Sequence, residues 1–376
     1  MIWLDIIDPK YVLFFKEFLP HLGRIDRLLI TTRKSEGYDE CARLIELFGL
    51  KNYADVYEIG GYGGSDKLGK LQARLKRQMG FLELFSSLGQ PRLFITGASV
   101  EGVQCAYGLG IPVVHFADTP VADERVSLEK LTILSRLTLP LSRLIFRPFV
   151  VPEPCYTALG LESSQVIAYD FIDVVLWLKD IGSMKPHGAL RADFCSKYGL
   201  DSSLPIVLVR EEEYKAHYVK QKLGVIYECI APLAREYNVL LMPRYGAQEL
   251  EACVNALDSE LRARVKIMAE KLEPRAFYPF VDVLVGGGGT MNLEACYLGL
   301  PVVSTRSLLL FHDRFLLEHN LMRHATNADE VLELVRLGLK GSFGGGRELQ
   351  NTLFAPHGID LEPILTRIEQ LYSSVK

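Results

Sequence analysis

The chain has 376 residues, of which 49% are hydrophobic and 23% charged, with a formal net charge of −4. That length supports two domains with separate cores, and the balance is that of a globular enzyme rather than a disordered chain. The acidic net charge gives no overall attraction for nucleic acid, and no uninterrupted apolar run reaches the length of a membrane span. The first half alternates strands and helices. Strands are expected at 2–7, 27–31, 56–59, 93–96 and 112–116, with helices at 12–22, 38–48, 67–88 and 100–108. Strands that are apolar throughout and separated by helices imply a parallel sheet covered on both faces, wound by right-handed crossovers.

The pattern restarts after residue 204. Strands are expected at 206–209, 239–242, 265–268 and 302–304, with a short apolar strand at 282–285 running into the glycines, and helices at 215–237 and 250–255. Between the halves, 180–205 is rich in Gly, Ser, Pro and Lys, with a short helix near 191–198, and reads as a linker. A last helix over 361–372 follows the glycines of 341–346 and is expected to cross back onto the first domain. The fold class is therefore α/β: two Rossmann-like doubly wound parallel-sheet domains facing a central cleft. The domain boundaries are placed at 1–180, 181–350 and 351–376. A ligand is expected at the carboxyl ends of the strands.

The seven cysteines, at 41, 105, 155, 195, 229, 253 and 296, contain no C-x-x-C pair and read as reduced, mostly buried thiols of a cytoplasmic protein. The start, Met1-Ile2-Trp3-Leu4-Asp5, has no basic leader and is not expected to be a signal peptide.

The most informative stretch runs from Val283 through Gly286-Gly287-Gly288-Gly289-Thr290-Met291 to Glu294. An apolar strand enters four glycines and a helix begins at once. Glycines there let backbone N–H groups approach a ligand, and the helix start adds unpaired donors and partial positive charge, which together suit phosphate. Glu294, one turn into the helix, can reach hydroxyls beside the phosphates. The stretch is neither G-x-G-x-x-G nor G-x-x-x-x-G-K-[ST], which disfavours plain NAD binding and P-loop ATP hydrolysis.

Other candidates sit at strand ends. Arg210 and Arg244 follow two neighbouring strands, and guanidinium forks suit diphosphates. The competing use is ion pairing with Glu211, Glu212 and Glu213, with His217 further on. His115 and Asp118 end the fifth strand, where a His–Asp pair would serve as a general base. Asp8 reads as a helix cap with Pro9 at the first helical position, and Lys10 beside it as a holder of phosphate or carboxylate. His312-Asp313-Arg314 forms a further candidate loop. Lys67, Lys70, Arg74 and Arg77 line one helix face, opposite Leu68, Leu71, Leu75, Met79 and Leu82. That basic stripe is read as a solvated face, with contact to anionic lipid as the alternative. No histidine shows metal-ligand spacing, and no metal or cofactor is expected.

The two-domain pattern resembles the GT-B architecture. The segment from Gly286 to Glu294, with Gly299-Leu300-Pro301 after it, resembles two families in particular. These are the transferase that adds N-acetylglucosamine to the lipid-linked peptidoglycan precursor and the UDP-N-acetylglucosamine 2-epimerases. The resemblance implies a UDP-sugar donor, with Glu294 on the ribose. The chain as a whole is similar to the DUF354 family, through Trp3-Leu4-Asp5-Ile6, Phe14-Phe15-Lys16, Val209-Arg210, Met242-Pro243-Arg244 and the Gly286–Met291 loop. There are departures. Tyr11 stands where a family histidine is usual. Where epimerases carry Gly-Asp and His-x-Glu-Ala-Gly, this chain reads Thr96-Gly97-Ala98-Ser99 and His115-Phe116-Ala117-Asp118-Thr119.

The expected function is that of a glycosyltransferase-like enzyme of glycan or cell-envelope biosynthesis. Its acceptor is unidentified, of glycan or lipid-linked type, and a peripheral membrane contact is left open. A nucleotide-sugar epimerase or hydrolase is the first alternative and a non-catalytic scaffold the second.

Overall fold

A computed structural model of the chain describes residues 1–35, 38–64, 66–181, 188–212, 223–244, 246–268, 273–345 and 347–375. Two compact units emerge. The first comprises Met1–Trp177 and His357–Lys376, the second Leu178–Pro356.

The first unit holds seven strands: β1 Ile2–Asp5, β2 Leu28–Thr32, β3 Asp55–Glu58, β4 Leu93–Thr96, β5 Val113–Phe116, β6 Leu144–Pro148 and β7 Val166–Tyr169. They form one parallel sheet in the order β3-β2-β1-β4-β5-β6-β7. The second unit holds β8 Ile206–Arg210, β9 Asn238–Met242, β10 Val265–Ile267, β11 Val283–Gly286, β12 Val302–Ser304 and β13 Met322–His324. These are parallel in the order β10-β9-β8-β11-β12-β13. The central strands β1, β2, β4, β5 and β11 are buried from end to end, as a sheet covered on both faces requires. In each sheet the winding reverses at one point, between β1 and β4 in the first and between β8 and β11 in the second. Crevices for ligands open at such points, outside the carboxyl ends of the strands.

Three strands absent from the sequence reading complete the sheets: β6, β7 and β13. The edge strands β7 and β13 carry half-buried or exposed positions, and β6 contains Arg147 and Pro148, so none shows an uninterrupted apolar run. The helix expected over 12–22 is two helices, Pro9–Lys16 and Leu19–Ile25. Pro20 has no N–H to continue the first helix but fits the first turn of a new one. The described part of the helix expected over 215–237 is likewise broken, into Val225–Glu228 and Ile230–Ala234, with Pro232 in the second piece. Residues 213–222, including Glu213 and His217, lie outside the described residues, as do 182–187 of the expected linker.

The Lys67–Leu88 helix corrects the sequence reading. Arg77 is not on a solvated basic face but fully buried, while Leu68, Leu71, Leu75, Met79 and Leu82 are exposed. The Arg77 guanidinium donates to both Asp5 carboxylate oxygens, at 2.8 and 3.1 Å, to Glu101 and to the Ile59 carbonyl. Thr31 donates to Asp5 at 2.6 Å, and the Trp3 indole donates to Thr31 at 2.7 Å. Trp3 in turn packs edge-on against Phe81 and Phe85 of the same helix. The helix is thus clamped to β1 by a buried ion cluster and an aromatic one, and Arg77 faces inward because both carboxylates do.

The Glu362–Ser374 helix belongs to the first unit. Its Tyr372 hydroxyl donates to Asp26, and the Arg92 guanidinium sits 4.5 Å from the Tyr372 ring centre.

Removing one partner of a buried ion cluster strands the others. Arg77→Leu should therefore lower the unfolding free energy by about 3–5 kcal/mol, read as a shift of the urea midpoint. A loss below about 1 kcal/mol would show that Asp5 and Glu101 tolerate burial without the guanidinium.

Candidate functional site

β11 ends at Gly286, level with Arg210 of β8 on one side and Ser304 of β12 on the other. The Gly289–Tyr297 helix then starts with Gly288 in extended conformation as its cap, without a side-chain cap and with no acidic residue in the first turn. Its first N–H groups have no partner within the helix, and the end of the helix dipole adds positive potential. Thr290 and Met291 are half-buried in that first turn.

The four glycines have different reasons to be glycine. A β-carbon on Gly286 would overlap Asn292 Oδ1, and one on Gly287 would lie 2.5 Å from the Glu212 backbone. These two are fixed by packing. Gly288 and Gly289 face arginine side chains instead. A β-carbon on Gly288 would lie 3.5 Å from Arg244 Nη1 and 3.8 Å from Arg210 Cγ, and one on Gly289 would lie 3.2 Å from Arg306 Nη1. Three arginines from three different strand ends therefore surround one helix start.

The neighbouring acids hold this arrangement. The Arg210 guanidinium donates to the carbonyls of Met242, at 3.4 Å, and Pro243. Glu211 accepts the Arg244 backbone N–H and the Tyr227 hydroxyl, both at 2.8 Å, and Glu212 accepts the Ser307 N–H and hydroxyl. Glu211 and Glu212 thus pin the loops that carry Arg244 and Arg306. Arg306 pairs with the buried Asp313, which also accepts the Leu310 N–H at 2.9 Å. Within the loop His312-Asp313-Arg314, Asp313 therefore positions Arg306, while Arg314 pairs with Glu318 on the surface.

Glu294 is buried and accepts a 2.7 Å hydrogen bond from the Tyr278 hydroxyl. Burial, and after it the Glu294 carboxylate, push the Tyr278 phenol well above its ordinary range, so it stays a donor. This fixes the carboxylate one turn behind the helix start.

In the first unit, Asp8 caps its helix by accepting the Lys10 N–H at 2.9 Å. The Lys10 ammonium lies 2.5 Å from both Asp118 and Asp173. Burial works against its charge, but the two carboxylates outweigh burial and raise its pKa well above the ordinary value. Asp173 also accepts the Tyr169 hydroxyl at 2.6 Å. The expected His115–Asp118 pair does not form. His115 is fully buried, with Nε2 3.2 Å from the Gly97 carbonyl and Nδ1 without a hydrogen-bond partner. Burial lowers its pKa to about 4, against a smaller opposing effect of the Gly97 carbonyl and Asp118. The crevice beside Gly97 is filled: a β-carbon there would lie 2.0 Å from the Tyr11 ring, whose hydroxyl donates to the Phe116 carbonyl.

Arg306 and Tyr278 were not singled out from the sequence. Arg306 stands two residues after β12 as Arg244 stands two after β9, and that shared offset is the signal that could have found it. Nothing in the spacing of Tyr278 and Glu294 marks their contact. Among the described residues no group of His, Cys, Asp and Glu side chains is arranged to hold a metal ion.

Residues 1–348 match the family model described as a protein of unknown function, DUF354. The chain belongs to the DUF354 family. An uncharacterised protein of Methanocaldococcus jannaschii is 24% identical over 347 residues, spanning 91% of this chain and 93% of the relative. Solved structures share the GT-B-like fold at low identity. The Staphylococcus aureus MnaA–UDP structure aligns at a TM-score of 0.72 with 13% identity, covering 99% of this chain and 96% of that one. The Methanocaldococcus jannaschii UDP-GlcNAc 2-epimerase, in complex with UDP-GlcNAc and UDP, aligns at 0.66 with 15% identity over 97% and 99%. Anabaena HepE, in complex with UDP and glucose, aligns at 0.62 with 15% identity over 100% of both chains.

The state of His115 has a measurable consequence. Its folded pKa lies below the unfolded value, so acid favours the unfolded chain, which alone takes up the proton. The His115 contribution to stability is complete above about pH 6.5 and falls as the pH drops toward 4. Between pH 7.5 and 5 the wild type should lose about 2 kcal/mol more than His115→Gln. Parallel urea titrations at the two pH values measure that difference, and equal losses would show that His115 protonates in the folded state.

Proposed function

We propose that the chain binds a nucleoside diphosphate sugar, with the diphosphate at the start of the Gly289–Tyr297 helix, and acts on its sugar–phosphate bond as a glycosyltransferase-like enzyme. The observation that carries this reading is the convergence of Arg210, Arg244 and Arg306 on the uncapped helix start at Gly288 and Gly289. Guanidinium forks and helix-start N–H groups both match phosphate oxygens. A departing nucleoside diphosphate gains negative charge, and preorganised donors stabilise it as the bond breaks without needing to reorganise. Glu294, held by Tyr278, is assigned to the ribose hydroxyls. UDP is the first candidate nucleotide because the structures of MnaA, the epimerase and HepE each contain it.

Asp118 is the proposed proton acceptor of the reaction. Its carboxylate stands just past the end of β5, 2.5 Å from the Lys10 ammonium. His115 is left to the fold. The acceptor is of glycan or lipid-linked type, and the activity belongs to glycan or cell-envelope assembly in the cytoplasm. Epimerisation of the same donor is the second reading, favoured by the likeness to the 2-epimerase structures.

Calorimetry with UDP, ADP and GDP tests the binding. Arg244→Ala and Glu294→Gln should each weaken the preferred nucleotide roughly tenfold or more, because a hydrogen bond to a charged group is worth about 1.5–3 kcal/mol. NMR of the bound sugar nucleotide then separates the reactions. Transfer or hydrolysis frees UDP, whereas epimerisation inverts a sugar centre with UDP still attached. No affinity for any nucleoside diphosphate would leave only a non-catalytic scaffold.

A further inference from the structure

The Lys67–Leu88 helix presents an apolar stripe to solvent. Leu68, Leu71, Leu75, Met79 and Leu82 are between 40% and 65% exposed. At 100° per residue their spacings of three and four place all five on one narrow face, about 21 Å long. A contiguous patch of several hundred Å² is on the order of the largest found on monomeric proteins, and such patches mark interaction sites. The opposite face, with Arg77, Phe81 and Phe85, is buried against the first sheet and cannot turn outward.

The charge on the helix is mostly basic, although Glu58 of β3, paired with Lys34, lies with Glu83 beside Leu75 and Met79. The helix sequence carries five basic residues and one acid, Glu83, in a chain whose net charge is −4. Arg77 is spent on Asp5 and Glu101. Lys67, Lys70, Arg74 and Lys76 remain at or beside the surface, within the same turns as the leucines. An apolar face bordered by cations, on a helix lying along the surface, has the chemistry of an interfacial membrane anchor: side chains at the acyl boundary and ammonium groups at lipid phosphates.

A second copy of the chain fits less well. Five apolar side chains alone are a small share of the roughly 800 Å² per partner that a stable pair buries. A helix-to-helix pair would also bring together Lys67, Lys70, Arg74 and Lys76 of both copies, an excess of like charge. We therefore propose that this face docks the protein on an anionic membrane surface. The proposal is independent of the nucleotide-binding reading.

The test is cosedimentation of the full chain with lipid vesicles. Wild-type protein should pellet with vesicles containing about a quarter phosphatidylglycerol, and bind pure phosphatidylcholine at least tenfold more weakly. Binding should fall as salt is raised, as for any surface charge contact. The combined variant Leu71→Glu, Leu75→Glu, Met79→Glu should keep the wild-type melting temperature, because these positions are exposed, and lose vesicle binding. Should that variant misfold, Lys67→Gln, Lys70→Gln and Lys76→Gln together provide the second reading, with roughly fivefold loss for each lysine. Absence of wild-type binding to anionic vesicles, or equal binding to both vesicle types, would overturn the proposal. So would folded variants that bind like the wild type. A lipid-free dimer in the ultracentrifuge, split by the glutamate variant, would assign the face to a second copy and overturn it as well.

Discussion

Each sheet of this protein is entirely parallel, and the geometry of the candidate site follows from that constraint. Parallel strands place all their carboxyl ends along one edge, and every connection must cross back over a face of the sheet. Residues far apart in the chain then become neighbours at that edge. In the second sheet the order β9-β8-β11-β12 sets the ends of four strands side by side. The strand that ends in glycine stands among three that carry arginine at their ends: β8 closes on Arg210, and β9 and β12 are each followed two residues later by Arg244 and Arg306. Because Gly288 and Gly289 contribute no side chains, the space above the helix start is open to arms reaching in from the flanks. A side chain at Gly289 would crowd the Arg306 guanidinium, 3.2 Å from a β-carbon there.

The same constraint has the opposite outcome in the first sheet. Its reversal point, between β1 and β4, is occupied by the Tyr11 ring lying over Gly97. The polar groups nearby are paired with one another: Lys10 with Asp118 and Asp173, Tyr169 with Asp173, and Tyr156 with the Ala117 carbonyl. Two sheets with one plan thus differ in what stands over the reversal point. One has an aromatic plug and a closed ion cluster. The other has glycine at the turn and arginine side chains from three strand ends beside it.

What the sequence revealed and what it concealed divide along physical lines. The glycine turn, its strand and its helix were legible because all three signals are local: an apolar run, residues that permit close approach, and helical periodicity immediately after. Arg210 and Arg244 were legible because a parallel sheet, once inferred, predicts that strand ends gather. Arg306 escaped although its strand was expected, because the loop after β12 reads as a solvated surface loop. The Tyr278–Glu294 contact escaped because it joins a short 3₁₀ turn to a helix sixteen residues later without any shared period. The pairing of Lys10 with Asp173 spans more than half of the first unit and leaves no trace in spacing. β6, β7 and β13 were missed for a different reason: strands at or near an edge need not be apolar throughout, so the period that betrays central strands is weak in them.

The Lys67–Leu88 helix shows how far burial can depart from hydrophobic periodicity. Read alone, its leucines define the inward face and its basic residues the outward one. The rotation of the helix is set instead by Arg77, because Asp5 and Glu101 are buried on β1 and on the next helix and require a cation between them. Leu75 lies two residues from Arg77, about 200° around the helix, and so faces away. Turning the leucines inward would leave two buried carboxylates without a partner, each costing several kcal/mol. It would also pull Phe81 and Phe85 from Trp3. Five exposed apolar side chains cost less than that, so the folded chain keeps them outside. Packing against the sheet accounts for only part of these five positions: Leu75 and Met79 border a groove beside Tyr57 of the edge strand β3 and Ile59 just after it, yet all five stay 40–65% exposed. Alanine or glutamate would serve the helix as well and the solubility of the chain better. Their exposure is the observation on which the proposed membrane contact of this face rests.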